Sequence, residues 1–364
     1  MSPTDAWLPF IRPCLPPPEA CLPFLEASYR SRFFSNGGPC VTRLEAELKA
    51  HYGQGREAIL TASATAGLTA VLMAHGLHGP VILPAFTFPA TAQAVLAAGC
   101  FPVLCDVHPD TWELDPADLA RIVRNRGLPP VAIVHVRAFG LDRDLDAIVH
   151  VADPRSIPLI VDAAAALGST RPADPRITAE VFSLHATKPF GIGEGGLILT
   201  DRRLAERIRQ TINFGMKDHV PVGSGMNGKM SEFQAAVGLA QHRRIDAHLA
   251  RRRAIAHRYQ DAGIPAPPGQ YDAPWQTYPV LADDPEAAIR RLAAAGIETR
   301  RYYRPALHLS PRFHDDDPMP VSEYLAEHMI CLPVYSDMTD REQTRVLQAW
   351  RAAQSNSAPN PVPS

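Results

Sequence analysis

Short apolar runs recur between residues 81 and 200, with helical stretches between several of them. The runs lie at 81–83, 101–105, 131–135, 159–162, 181–184 and 197–200. Helical patterns occupy 91–98, 116–125 and 144–151. Continuous apolar runs of this length are typical of strands buried on both faces. The alternation of strands and helices therefore predicts an α/β domain with a mostly parallel sheet, whose site lies at the carboxyl ends of its strands.

The pattern changes after residue 230. The stretch 231–249 is typical of one long helix with Ser231 at its N-terminus, and 286–296 is typical of a second helix ended by Gly296. This part predicts a connecting helix and a smaller α+β domain. We expect the chain to divide into a proline-rich extended arm at 1–20, a large α/β domain at 21–245, a small C-terminal domain at 246–352 and a disordered tail at 353–364.

Charge and hydropathy argue against several classes of protein. The chain has 364 residues and a formal net charge of -2, whereas proteins that bind nucleic-acid polymers or anionic membranes usually carry a basic excess. The N-terminus shows no signal-peptide pattern and no apolar run reaches about 18 residues, so we expect a cytoplasmic protein that does not span a membrane. The six cysteines lack zinc-ligand spacing, and no metal is expected.

Two glycine-rich segments are similar to phosphate-binding loops. Residues 191–196 match G-x-G-x-x-G, but a dinucleotide site needs that motif to open a helix, and here a strand-like run follows. We predict a glycine-rich turn between two strands at this position. Residues 223–230 nearly match a P-loop, but Met230 replaces the hydroxyl that would bind Mg²⁺, and no apolar strand precedes them.

Asp162 ends one apolar run, and Lys188 follows another. A carboxylate at the end of a buried strand needs a cation or hydrogen-bond donors, unless it only caps a helix. A lysine held near the sheet by Pro189 and glycines can have a lowered pKa, although a solvated surface lysine is the commoner case. Together the two residues suggest pyridoxal phosphate, which needs a lysine for its aldehyde and an acid for its ring nitrogen.

Two further segments fit the same cofactor. Residues 63–70 predict a turn that opens a helix, and a helix N-terminus can bind a phosphate group. Residues 84–91 contain Phe86 and Phe88, each equally suited to cover the cofactor ring or to pack in the core.

Six blocks of sequence follow one another along the chain, at 34–45, 85–91, 162–164, 183–196, 227–236 and 332–335. In this order they resemble the DegT/DnrJ/EryC1/StrS family of pyridoxal-phosphate sugar aminotransferases, over nearly the whole chain between its tails. The resemblance implies a fold-type I homodimer with active sites at the subunit interface. It also implies transfer of an amino group from an amino acid, expected to be glutamate, to a keto-sugar, expected to be a nucleotide-linked keto-deoxyhexose.

The resemblance implies roles for single residues as well. Lys188 would bind the cofactor aldehyde and carry the proton between substrate and cofactor, while Asp162 would keep the ring nitrogen protonated. Phe88 would stack on the cofactor ring. The residues implied for the phosphate group are Ala64, Thr65, Ser183 and, reaching over from the neighbouring subunit, Asn227.

Three positions depart from the family pattern. Ala64 stands where the family has glycine, so the loop must avoid a positive φ there. Ala165 stands where the family has a His or Gln that contacts the phenolic oxygen of the cofactor. Lys229 replaces an Arg, and lysine is the poorer bidentate partner for a donor carboxylate.

Substrate contacts are expected from His185, Lys229, Tyr303 and His308. For His185 the alternative is that strand alternation turns it away from the site. For the stretch 302–308 the alternative is ordinary loop packing.

Three other functions are alternatives to this interpretation. An aminotransferase that acts on a cyclitol ketone would have the same cofactor site. A sugar dehydratase of this family would have His in place of Lys188, so Lys188 argues against it. A non-catalytic regulatory relative would have no need to keep Lys188, Asp162, Thr65 and Ser183 together.

Overall fold

The structure is a computed structural model that describes residues 7–125, 127, 129–169, 172–267 and 273–354. The predicted tail at 353–364 therefore lies largely outside the described residues. Its first two residues are not a tail, because they end the last helix, α12 (Asp340–Gln354). Among the described residues, no helix combines the length and the apolar character that crossing a membrane requires.

In the described part of the chain, seven strands form one sheet in the order β1-β7-β6-β5-β4-β2-β3. All neighbouring pairs from β3 to β6 are parallel, and β7 runs antiparallel to both β6 and β1. The mostly parallel sheet is thus confirmed. The strands are β1 Glu57–Thr61, β2 Pro80–Pro84, β3 Phe101–Cys105, β4 Ala132–Val136, β5 Leu159–Asp162, β6 Ala179–Ser183 and β7 Gly196–Thr200. Two short strands, β8 Met216–Lys217 and β9 Val220–Pro221, form a separate antiparallel pair.

Helices cover both faces of the sheet, because its strands are apolar on both sides. On β5, Val161 packs into a cluster with one helix layer and Ile160 into a cluster with the other. Asp162 follows this alternation and lies on the same face as Ile160. The first layer contains α1 Pro18–Ser31, α2 Pro39–Tyr52, α5 Pro116–Asn125, α6 Asp146–Ala152 and α8 Glu232–His242; the second contains α3 Ala64–His75, α4 Pro89–Ala97 and α7 Arg202–Thr211.

The single helix predicted at 231–249 is wrong, because the structure has two helices there. Ser231 caps α8 as predicted, in a capping box with Gln234, but α8 ends at His242. A second helix, α9 (Ile245–Asp261), follows after Arg244, whose φ of -112° departs from helical backbone. No glycine or proline lies at the break, so the sequence contains no signal that ends a helix there, and the apolar periodicity alone predicts one continuous helix.

The C-terminal part has its own small sheet and apolar cluster. β10 (Tyr278–Leu281) pairs antiparallel with β11 (Met329–Leu332), and α10 (Pro285–Ala294), α11 (Pro320–His328) and α12 pack around them. The N-terminal segment runs beside this part, where the Leu8 amide donates to the Gly296 carbonyl. The predicted arm is shorter than expected, since α1 begins at Pro18. A domain boundary at 245 stays a prediction.

Candidate active site

A cavity of about 550 Å³ opens where β4, β5 and β6 end and where α3 and α4 begin. Val136, Asp162 and Ser183, the last residues of these three strands, line it. The site therefore lies at the carboxyl ends of the parallel strands, where α/β folds place ligands. Of the residues expected in the site, the cavity brings together Ala64, Thr65, Phe88, Asp162, Ser183, His185, Lys188 and Tyr303.

The carboxylate of Asp162 is buried and held by neutral donors. The Thr91 hydroxyl donates to Oδ2 over 2.8 Å, and the Ala164 amide donates to Oδ1 over 3.1 Å. Thr87 lies 2.9 Å from Thr91, hydroxyl to hydroxyl, and extends the chain of hydrogen bonds. Burial raises the pKa of Asp162, while the two donors and the charge of Lys188 oppose that rise. Such a carboxylate suits a cationic partner inside the cavity.

Lys188 extends into the cavity from the loop that follows β6. Its Nζ donates a hydrogen bond of 2.8 Å to Oε1 of Gln276. Burial lowers the pKa of Lys188 to about 8, against the opposing charge of Asp162. A much larger fraction of this amine is therefore uncharged near neutral pH than of an exposed lysine, and the uncharged amine is the form that attacks an aldehyde.

The N-terminus of α3 lies at the same cavity. Ser63 caps the helix, with its hydroxyl accepting from the Ala66 amide over 3.1 Å. Ala64 is the first helical residue and is not among the positive-φ positions, so alanine in place of glycine costs no backbone strain here. Ala64 and Thr65 thus present the positive end of a helix to the cavity, opposite the side chain of Ser183.

The glycine-rich segment at 191–196 joins β6 to β7, as predicted. A Cβ on Gly196 would lie 2.6 Å from the carbonyl oxygen of Ser63, and one on Gly191 would lie 2.5 Å from that of Ala186. Gly196 therefore allows close backbone approach at the start of α3, and Gly191 allows it within the loop after β6; neither role requires a dinucleotide.

The two candidate aromatic residues separate clearly. Phe86 is fully buried and packs edge-on against Tyr303, whereas Phe88 precedes α4 at the cavity wall with 55% of its surface exposed. Tyr303 in turn stacks on Phe139, with ring centroids 5.3 Å apart. His185 also faces the cavity, since it lies beyond the end of β6, where strand alternation no longer applies.

The cavity of the single chain does not include three expected residues. Asn227 is exposed and pairs through its backbone with Asn213. The Lys229 amine donates to Asn213 Oδ1 over 3.0 Å and lies 4.3 Å from the ring centroid of Phe214. The expectation for His308 needs correction: it is 1% exposed and its Nε2 lies 3.1 Å from Glu323, so it packs in the interior and does not line the cavity.

Comparison with known proteins agrees with this geometry. The family model described as the DegT/DnrJ/EryC1/StrS aminotransferase family matches residues 19–351. The chain belongs to this family. It is a pyridoxal-phosphate-dependent aminotransferase.

Two relatives and two solved structures illustrate the similarity. Protein Rv3402c of Mycobacterium tuberculosis is 31% identical, over 95% of this chain and 90% of that protein. A dTDP-4-amino-4,6-dideoxy-D-glucose transaminase of Escherichia coli is 27% identical, over 92% and 96%. DesI, solved in the presence of its TDP-sugar product, has a TM-score of 0.86 at 34% identity, over 96% and 94%. NtdA of Bacillus subtilis with bound PMP has a TM-score of 0.84 at 27% identity, over 93% and 82%.

The residues of this aminotransferase fit its cofactor. A lysine with a lowered pKa, a buried carboxylate with neutral donors and a helix N-terminus with a nearby hydroxyl line one cavity, and these are the groups that pyridoxal phosphate requires.

The sequence patterns do not identify several residues of the aminotransferase site. Gln276 comes from the segment before β10, and a buried arginine holds that segment: Arg252 donates to the carbonyl oxygens of Trp275 and Val334, each over 2.9 Å. Thr91 was within a recognised block, but only its hydrogen bond to Asp162 shows what it does. No sequence pattern marks Gln276, because packing of distant segments creates its contact. Other missed residues that line the cavity are Ile11, Arg137, Thr277 and Arg300.

Proposed function

We propose that this aminotransferase moves an amino group from an amino acid, with glutamate as the first candidate, to a keto-deoxyhexose linked to a nucleotide. The observation that best supports this reaction is that one cavity contains Lys188, Asp162 and the N-terminus of α3. The nucleotide-sugar substrate is supported by the similarity to DesI and to the E. coli transaminase. The transaminase is named for a dTDP-linked sugar, and DesI was solved in the presence of its TDP-sugar product.

The proposed roles follow from the positions of the side chains. When bound, pyridoxal phosphate supplies an aldehyde for the amino group and a ring that accepts the electron pair. Lys188 holds the cofactor through Nζ and, once released, moves a proton to and from the substrate carbon. Asp162 holds the proton on the ring nitrogen. Phe88 covers one face of the ring.

The same proposal assigns the phosphate group to the N-terminus of α3. Ala64 and Thr65 offer backbone amides at the positive end of the helix, and Ser183 offers a hydroxyl from the end of β6. Together these groups would hold the phosphate end of the cofactor in the cavity that Lys188 also lines.

We further propose a homodimer in which Asn227 and Lys229 act in the site of the second copy. Aromatic side chains are exposed side by side near α8, with Phe34 and Phe233 stacked at 6.0 Å and Tyr29 edge-on to Phe34. Apolar surface of this kind is often buried in an interface. The dimer would bring residues 227 and 229 to a cavity that they do not reach in one chain.

Mixing variants tests the shared site. Lys188→Ala and Asn227→Ala proteins are each expected to be nearly inactive. In a mixed dimer one site carries both changes and the other carries neither, so mixing should restore up to about a quarter of wild-type activity after random exchange of subunits. Mixing without any gain, or a monomer by light scattering, would contradict the shared site.

The reaction is tested with purified protein, pyridoxal phosphate and glutamate. We expect cofactor absorbance and its conversion on addition of glutamate, with release of about one equivalent of 2-oxoglutarate per site. Continued release of 2-oxoglutarate is expected only when a keto-sugar nucleotide is present to complete the cycle. Lys188→Ala should lose the cofactor absorbance, its conversion and the release of 2-oxoglutarate, whereas Lys49→Ala, a surface lysine paired with Glu57, should keep all three. Wild-type protein without cofactor absorbance would overturn the proposal. Turnover with a cyclitol ketone but with no sugar nucleotide would replace the proposed substrate.

A further inference from the structure

The substrate of the proposed reaction is anionic, and few cations line the cavity to receive it. Among the described residues that line it, the arginine and lysine side chains are Arg137, Lys188 and Arg300. Nucleotide sugars bring phosphate groups and amino acids bring a carboxylate, and proteins commonly bind both kinds of group with guanidinium or ammonium groups.

Two of these three cationic side chains already have another partner or role. Arg137 is buried, and its guanidinium donates to Glu180 and pairs with Asp142 at 3.1 Å. Lys188 is the reacting amine and donates to Gln276. Neither side chain is available for a substrate phosphate.

Arg300 differs from both because 55% of its side chain is exposed. Its backbone is fixed against β11, where the Cys331 amide donates to the Arg300 carbonyl over 2.7 Å. Nε and Nη2 of its guanidinium share Oε1 of Glu298 at 3.4 and 3.2 Å. The other oxygen of Glu298 accepts from the Phe10 amide over 3.1 Å, so Glu298 is itself held in place.

This arrangement orients Arg300 without using all of its donors. A guanidinium has five N–H groups in a planar fork, and Glu298 engages two of them. Tyr302, whose side chain is hydrogen-bonded to Arg300, also lines the cavity. Arg300 can therefore receive a second anion at the exposed edge of the cavity.

We propose that Arg300 binds a phosphate group of the nucleotide part of the sugar substrate. Its exposure favours phosphate over the donor carboxylate. The carboxylate of an amino acid is attached to the carbon that loses the amino group, so it must stay close to Lys188, which is only partly exposed within the cavity. A phosphate is separated from the keto carbon by the sugar ring and extends toward solvent. This inference rests on the proposed function, because it assumes a nucleotide sugar.

The test compares Arg300→Gln with Arg304→Gln. Arg304 lies on the same segment and has a similar ion pair, with Glu327 at 3.1 Å and 46% exposure, but it does not line the cavity. Calorimetric titration of dTDP, UDP and GDP into the cofactor-loaded wild type identifies the nucleoside diphosphate that binds best. We expect Arg300→Gln to weaken its binding about 10- to 100-fold, and Arg304→Gln to change it less than about twofold.

A second measurement separates the two possible anions. Absorbance follows the half-reaction with glutamate alone, and its glutamate dependence should be the same in wild type and Arg300→Gln. The inference is overturned if Arg300→Gln binds the nucleoside diphosphate as well as wild type does, or if the variant loses affinity for glutamate instead. Failure of the proposed function would look different, because wild type would then bind no nucleoside diphosphate or react with no amino donor.

Discussion

The amine of Lys188 donates a hydrogen bond of 2.8 Å to the side-chain oxygen of Gln276, 88 residues later in the chain. The bond links the loop after β6 to the segment before β10. An amide oxygen stabilises the ammonium form of the lysine, whereas burial stabilises the neutral amine. Burial lowers the pKa of Lys188 to about 8 against the opposing charge of Asp162, and we expect the contact with Gln276 to oppose the effect of burial as well.

Changing Gln276 should shift the pH dependence of cofactor binding. The rate at which cofactor-free protein binds pyridoxal phosphate should rise with pH through about 8, the pKa of Lys188, because the neutral amine reacts. In Gln276→Leu the midpoint should move to lower pH, since the ammonium loses its acceptor. In Gln276→Glu it should move to higher pH. Stopped-flow absorbance measures both, and equal midpoints in all three proteins would contradict the role of this contact.

Lys188 should also leave a signature in stability. Its pKa is about 8 in the folded protein and near 10.5 when exposed, so between these pH values the unfolded chain binds more protons and wild-type stability should rise with pH. Cofactor-free Lys188→Met should be the more stable protein below pH 8, and the difference should disappear toward pH 10.5. Urea unfolding at pH 7 and at pH 10 measures the difference in the free energy of unfolding between the two proteins. A difference that is as large at pH 10 as at pH 7 would contradict the lowered pKa.

Removing the Thr91 hydroxyl should destabilise the ionised form of Asp162. Thr91→Val takes away the donor to Oδ2 and leaves a buried carboxylate short of one hydrogen bond, at a cost of about 1–3 kcal/mol. The cost should fall as the pH is lowered through the raised pKa of Asp162, because protonation of the carboxylate relieves it. Thermal unfolding of cofactor-free protein gives the values, with the exposed Thr42→Val as control. A loss that is the same for both variants would contradict the role of this hydroxyl.

Gly196→Ala should damage the phosphate end of the cofactor site. The new Cβ would lie 2.6 Å from the Ser63 carbonyl and 2.4 Å from the Thr61 hydroxyl oxygen, so the start of α3 must move. Overpacking of this kind typically costs about 1–3 kcal/mol. We expect weaker cofactor retention on gel filtration together with a lower melting temperature. Gly223→Ala meets no atom within 4 Å and should change neither; unchanged cofactor retention in Gly196→Ala would contradict the packing argument.

Removing the side chain of Glu180 should lower the free energy of unfolding far more than removing an exposed carboxylate. It is buried between the guanidinium groups of Arg56 and Arg137, and Glu180→Ala would leave two largely buried cations without their shared anion. Removing one partner of such a group costs about 3–5 kcal/mol. Glu206→Ala breaks an exposed pair with Arg202 and should cost less than about 1 kcal/mol. Chemical denaturation compares the two, and similar losses would show that the buried group is not a stabilising unit.

The sequence predicts best where local pattern and function coincide. Six of the seven strands of the large sheet are apolar runs, and the residues at the ends of β5 and β6 lead directly to Asp162 and Lys188. β1 was not predicted, because its apolar stretch is short and flanked by polar residues. The break after α8 has no glycine or proline to mark it.

Contacts between distant segments were not predictable in the same way. Gln276 and Arg300 reach the cavity only because the C-terminal part packs beside the sheet. His308 lies in a stretch that resembles substrate-binding sequence, yet a glutamate on α11 holds it in the interior. Local pattern identifies residues near strand ends, and it says nothing about which remote side chains meet them.

The buried guanidinium of Arg252 has a consequence for motion. It fixes the carbonyl oxygens of Trp275 and Val334 together, so Gln276 must travel with the segment that follows β11. Any rotation of that part relative to the large sheet would lengthen the bond between Gln276 and Lys188. Opening of the cavity would also admit water to the amine, and because burial is the main cause of its lowered pKa, the proton affinity of the amine would rise on opening and fall again on closing. The chemical state of the lysine is therefore a direct reporter of the position of the C-terminal part.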